Sequence, residues 1–245
     1  MNVYLSNEID PNTLGSLDID GIYKGTDEVW TSGPGLLCFT ANTASTIKLA
    51  KNGSPTVVTL ETSTDKTWST YTFDTITLAN IDKVYRRNTS ETDTGFSTTT
   101  LNYYKFEMTG SIASGDINFL LNKNSTTALS SYCYYRIFNC TLASAPALSA
   151  TTLASGCYSY MFNCTLTSAP ALPATTLAAY CYDDMFSCTL TSAPMLPATT
   201  LASNCYSYMF NCTLTTAPAL PATTLSDYCY TYMFYCTLTS TPALP

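Results

Sequence analysis

The sequence predicts an N-terminal antiparallel β-sandwich-like domain followed by an α/β solenoid with 24-residue units. Three observations carry that expectation. Cysteines recur at 133, 157, 181, 205 and 229, and again at 140, 164, 188, 212 and 236, so each series advances by 24 residues without drift. Before that repeat, residues 36–125 break into short runs of alternating apolar and polar residues separated by Gly, Asn, Asp and Ser. Finally, only 11% of the 245 residues are charged, against about 25% in an ordinary globular chain. Thr, Ser and Tyr must therefore cover much of the outside.

Residues 1–35 read as an attachment segment with a hairpin, because Ile19 to Trp30 alternates around turns at Gly21 and Gly25. Residues 36–125 read as an all-β domain of about seven strands, from LCFTA and TIKLAKNG through KVYRRN and YYKFEMTG to DINFLLN. Thr-rich strands suit a pleated surface that stays wettable on one side. Phe119, Leu120 and Leu121 are expected to pack that domain against the first repeat.

Residues 126–245 hold about five units, the last incomplete. The phrase CYSYMFNCTLTSAPALPATTL, Cys157 to Leu177, returns almost verbatim from Cys205 to Leu225. A strict repeat of this length means stacking, in which each unit buries its apolar face against its neighbours. Leu166 to Ala169 reads as a short strand, ended by Pro170, which cannot donate to a ladder, with a corner at Pro173. Leu201, Cys205, Met209 and Cys212 are spaced by four, four and three residues, the pattern of one face of a helix about three turns long. Phe162, Phe186, Phe210 and Phe234 are expected to form a column in the core.

The ten repeated cysteines read as structural ladders of small buried groups in the reduced state. Disulfides between equivalent cysteines of adjacent coils are the second reading, since neighbouring strands lie about 4.8 Å apart. Metal binding is the weakest, because no histidine and no tight Cys-x2-Cys knuckle is present.

The net charge of −7, with ten Lys and Arg scattered along the chain, excludes a nucleic-acid role, which needs clustered cations. With no histidine, neither a Cys–His pair nor a Ser–His–Asp triad can be built. Asp82, Glu91, Asp93, Glu107 and Asp116 offer no nominated pair for glycan hydrolysis, and Asp183 and Asp184 read as a solvated break in the repeat. Asp18, Asp20 and Asp65 lack the twelve-residue calcium loop. The expectation is no enzyme, no cofactor and no metal. No apolar run reaches the ~18 residues of a membrane span, and the first residues show no secretory signal.

Binding is easier to support. Tyr158, Tyr160, Tyr182, Tyr206, Tyr208, Tyr230 and Tyr232 form a candidate surface that would stack on sugars or fill protein hot spots. The competing reading of the same residues is a packing rim.

The phrase Phe162-Asn163-Cys164-Thr165-Leu166-Thr167, bounded by prolines, resembles the leucine-rich repeats of the BspA-like family, found in gut Bacteroidetes surface proteins and their phages. That family's aromatic-x-x-Cys-Thr-Ser-Leu-Thr phrase is one residue longer. The resemblance implies a leucine-rich-repeat solenoid with strands on a concave face, short helical turns on the convex one, and adhesion or protein binding. Residues 54–85 resemble the β domain that precedes such repeats. Ile22 to Trp30 resembles a hairpin of phage structural and tail-associated proteins, which makes Ile22, Tyr23, Val29 and Trp30 a candidate virion anchor.

The function expected from these readings is a non-enzymatic component of a phage virion, a head or tail fibre or decoration protein, assembled in the bacterial cytoplasm. Its partners would be other virion proteins through the N-terminal region and a host surface protein or glycan. Because the repeat reaches Pro245 without a polar cap, a homo-oligomer is also expected. The alternative is a bacterial cell-surface adhesin.

Overall fold

A computed structural model describes residues 2–5, 21–24, 27–31, 36–41, 43–55, 60–63, 68–79, 83–88, 99–121, 129–240 and 242–243. Asp18, Asp20, Asp65, Asp82, Glu91 and Asp93 lie outside the described residues. The chain divides into two compact units, Met1–Gly35 and Leu36–Pro245.

In the first unit, β1 (Asn2–Leu5), β2 (Gly21–Lys24) and β3 (Asp27–Thr31) form one sheet in that order. β2 and β3 make the expected hairpin, with Ile22 in register with Trp30, and β1 adds parallel to β2.

The second unit begins with β4 (Leu37–Ala41), β5 (Ser45–Asn52), β6 (Leu60–Ser63), β7 (Ser69–Thr70), β8 (Ile76–Leu78), β9 (Lys83–Asn88), β10 (Tyr103–Met108) and β11 (Ser111–Ser114). A 3-10 turn, Ile117–Leu120, follows, and then β12 (Phe138–Cys140), β13 (Leu142–Ser144), β14 (Phe162–Cys164), β15 (Phe186–Ser187) and β16 (Phe210–Asn211). These strands make two sheets, ordered β8-β5-β10-β12-β14-β15-β16 and β7-β6-β9-β4-β11-β13. Period-two alternation buries Tyr104, Phe106 and Met108 of β10 and Val84, Arg86 and Asn88 of β9. Phe39 of β4 meets Phe106 across the two sheets at 4.7 Å between ring centres.

The sheets pass from the first strands directly into the repeat. β10 pairs in parallel with β12, and β11 with β13. A buried polar network fastens the same junction. Asp116 accepts hydrogen bonds from the Asn118 amide (2.9 Å) and the Ser149 hydroxyl (2.6 Å), while the Tyr134 hydroxyl donates to Asn118 Oδ1 (2.9 Å). Leu120 and Leu121 are buried here and Phe119 is half-buried. The apolar core is one cluster from Leu37 to Met233.

The expected α/β leucine-rich-repeat solenoid is corrected to an all-β fold: among the described residues no α-helix occurs. The segment read as a three-turn helix is a run of tight turns. Cys157, Ser159 and Met161 donate N–H bonds back to Ala154, Gly156 and Tyr158, three residues earlier, at 3.1–3.3 Å. Between them, Tyr158, Tyr160 and Phe162 donate to Cys181, Asp183 and Met185 of the next coil at 2.9–3.0 Å. Alternate amides thus serve the turn and the neighbour, a division no α-helix allows, because every helical N–H points along its own axis. Two residues per unit, four apart, take left-handed backbone angles, as Gly156 (φ 62) with Tyr160 (φ 55) and Asn204 (φ 55) with Tyr208 (φ 50) show. That conformation ends any helix and costs an ordinary residue about 1–2 kcal/mol; the cross-coil bonds offset it.

The strand expected at Leu166 to Ala169 also moves. Its equivalent in the first coil, β13, is a paired strand and the last coils keep one bridge there, Thr216 with Ser240, whereas the parallel ladder of the later coils runs through Phe162–Cys164 and its equivalents. Phe138, Phe162, Phe186, Phe210 and Phe234 stack with ring centres 5.3–5.7 Å apart and planes 4–6° from parallel. Threonine hydroxyls close the remaining gaps: Thr165, Thr189 and Thr213 donate to the carbonyls of Leu142, Leu166 and Leu190 in the preceding coil.

Candidate binding groove

The left-handed position recurs at 136, 160, 184, 208 and 232, where the residues are Arg, Tyr, Asp, Tyr and Tyr. Three residues further on, the exposed or half-buried column is Asn139, Asn163, Ser187, Asn211 and Tyr235. Because each coil repeats the last, the two columns run side by side along the stack and line two recesses, the first mainly polar and the second mainly apolar. One, of ≈ 220 Å³, is bounded by Arg136, Asn139, Tyr160, Asn163, Asp184 and Ser187. The other, of ≈ 210 Å³, is bounded by Asp184, Tyr208, Asn211 and Tyr235. Asp184 is common to both.

Charge is concentrated here. From residue 126 to 245 the only cation is Arg136, and the only carboxylates are Asp183, Asp184 and Asp227. Arg136 has its guanidinium carbon 5.4 Å from the Tyr135 ring centre and 4.9 Å from that of Tyr160, a cation–π arrangement. Asp184 is half-buried, and burial raises its carboxyl pKa while the Arg136 charge pulls it back. Burial pushes the Asp183 carboxyl up to about 6, even though it accepts a hydrogen bond from Ser159 (3.4 Å). The expectation that Asp183 and Asp184 are a solvated break is therefore corrected: both sit half inside the coil.

The seven candidate tyrosines divide in two. Tyr158, Tyr182 and Tyr206 are buried and stack on one another and on Tyr134 and Tyr230 at 5.7–6.0 Å. For these three the binding-surface reading is corrected: they are core, and among the described residues the Tyr158 and Tyr206 hydroxyls have no hydrogen-bond partner. Tyr230 is half-buried at the far end of the same column. Tyr160, Tyr208 and Tyr232 reach the groove side, with Tyr208 and Tyr232 stacked at 5.0 Å. Arg136, Asn139, Asn163 and Tyr235 were missed by sequence reasoning, and Asp184 was read only as part of a solvated break. The available signal was the 24-residue spacing, which aligns Arg136 and Asp184 with Tyr160 and Tyr208, and Asn139 and Asn163 with Tyr235.

The eleven cysteines are thiols, with no disulfide among the described residues. Cys133, Cys157, Cys181, Cys205 and Cys229 are buried, and Cys140, Cys164, Cys188, Cys212 and Cys236 are half-buried. Burial pushes Cys164 and Cys212 up to about 11 and Cys188 and Cys205 up to about 12. Such thiols stay protonated, which removes the nucleophilic and metal-binding form. Among the described residues no group of three His, Cys, Asp or Glu is placed to hold a metal ion, and no helix is long and apolar enough to cross a membrane. Ile22, Tyr23, Val29 and Trp30 lie on β2 and β3 of the small unit.

Comparison of the chain with protein-family models, curated proteins and solved structures gives no match. The resemblance to BspA-like leucine-rich repeats is overturned with it: no family model supports it, and the all-β coils lack the helical segment that such repeats contain.

Proposed function

We propose that this chain is a non-enzymatic virion component, a fibre or decoration protein. In this reading Met1–Gly35 attaches to other virion proteins, and Leu36–Pro245 is displayed and touches the host surface. The observation that carries it is the division of the chain into two units: the hairpin phrase Ile22 to Trp30 lies in a compact unit of its own, while the apolar core of the other unit is one cluster. A module that must be held at one place and present a surface at another needs those two parts. The stack is also suited to display. Each coil is locked to the next by amide bonds, ring columns and threonine hydroxyls, so it resists bending without needing surface charge.

The test is immunogold electron microscopy, with antibody against residues 126–245 applied to particles of a phage encoding the chain. Label on heads or tails supports the reading and locates the appendage. Absence of label on intact, disrupted and immature particles alike overturns it and favours a bacterial cell-surface adhesin.

A further inference from the structure

The recess at Asp184 has a chemistry of its own, which holds whether or not the chain rides on a virion. The scaffold shows how it accommodates a guanidinium. In the first coil Arg136 rests on Tyr135 of its own coil and on Tyr160 of the next, 5.4 and 4.9 Å from the ring centres. Two coils on, the position of Arg136 is taken by Asp184, so the built-in cation is replaced by an anion while tyrosines remain around it. Tyr208 stacks on Tyr232 on one side, and on its other side the neighbouring coil supplies Asp184 and no ring. Tyr235 and Asn211 close the recess. Among the described residues no side chain donates a hydrogen bond to the Asp184 carboxylate or forms an ion pair with it. The half-buried carboxylate feels the Arg136 charge across the first recess but has no donor in contact with it, and it is set among exposed tyrosines.

We propose that the recess of Asp184, Tyr208, Asn211 and Tyr235 binds a guanidinium group, the arginine side chain of a partner protein. The planar cation stacks on a tyrosine face, as Arg136 does, and gives N–H bonds to the carboxylate and to the Asn211 amide oxygen. A guanidinium fits better than an ammonium because it is flat, weakly hydrated and able to donate in two directions at once.

The full chain, with ring-labelled tyrosine, is titrated with Nα-acetylarginine amide and followed by NMR. Nα-acetylcitrulline amide serves as the uncharged isostere and Nα-acetyllysine amide as the other cation. Saturable shifts of the Tyr208 and Tyr235 rings with the arginine probe are expected, with lysine weaker and citrulline weaker by roughly tenfold or more. Asp184→Asn should weaken the arginine probe by a similar factor while melting like the wild type, and Asp227→Asn should leave binding unchanged. Equal binding of citrulline, unchanged affinity in Asp184→Asn, or no saturable shift at all would each overturn the proposal.

Discussion

The ring of Phe186 lies 5.6 Å from that of Phe162, with the two planes 4° from parallel, and 5.7 Å from that of Phe210 on its other side. Phe186 is thus held between equivalent residues of both neighbouring coils. Phe186→Ala removes contacts on two faces at the middle of the column and should cost about 3–5 kcal/mol. Chemical denaturation checks this, and a loss below ~1 kcal/mol would mean that the coils pack loosely enough to close the gap.

Tyr206 stacks between Tyr182 and Tyr230 with its hydroxyl buried and unpartnered. Desolvating a hydroxyl without a hydrogen bond is unfavourable by roughly 1–3 kcal/mol. Tyr206→Phe keeps the stacking and removes that penalty, so it should raise stability by about 1 kcal/mol. A clear fall in the melting temperature would show that the hydroxyl has a partner.

Asp183 occupies the position held by Ser159 and Ser207 in the adjacent coils, both buried. Its carboxyl is raised from 3.8 to about 6, chiefly by burial. The folded state therefore binds the proton more tightly than the unfolded one. That contribution is fully present below about pH 3.8 and is lost as pH rises through 6. Asp183→Ser should raise stability at pH 7 by ~1 kcal/mol after allowance for solvent screening, with the gain shrinking toward pH 4. An equal effect at pH 4 and pH 7 would assign the change to packing instead.

The thiols make the same argument at high pH. Cys164, Cys188, Cys205 and Cys212 titrate near 9.0 when free and at about 11 to 12 in the fold, because burial disfavours the thiolate. Their contribution is intact below about 9 and is lost between 9 and 12. Tyr230, raised to about 12, adds in the same direction, while Arg86, lowered to about 10 by burial, opposes them. Denaturation midpoints measured from pH 8 to 11 should fall, and Cys205→Ala should reduce the slope. A flat profile would place the cysteines in contact with water.

Much of the stack was legible because a constant period dictates a constant neighbour. Phe162 and Phe186 are 24 residues apart, and so they touch. The hairpin at Ile22 and Trp30 and the alternation of β10 were readable for similar reasons, since a strand's period of two is written directly in residue type. The secondary structure of the coil was not. Cys205 and Met209 are four residues apart, which fits both a helix and a run of turns whose left-handed residues also recur every fourth position. Gly156 and Asn204, residues that tolerate positive φ, stood immediately before Cys157 and Cys205 and pointed to the turns. The tyrosines misled for a related reason: a helix would have exposed Tyr206, whereas the turns bury it beside Cys205. The Asp184 recess was hidden because its members come from different coils and only the column brings them together.

In the turn segment the alternation of amide donors gives every coil the same two faces, N–H groups toward its successor and carbonyls toward its predecessor. Any coil can therefore follow any other. Duplicating or deleting one whole unit in the gene would leave the backbone bonding of the turn segment the same at each seam, whereas shifting the frame by a single residue would misalign every ring column at once. The module's reach is thus a heritable variable that changes in whole steps, and recombination between its own near-identical copies can tune it without redesigning the core.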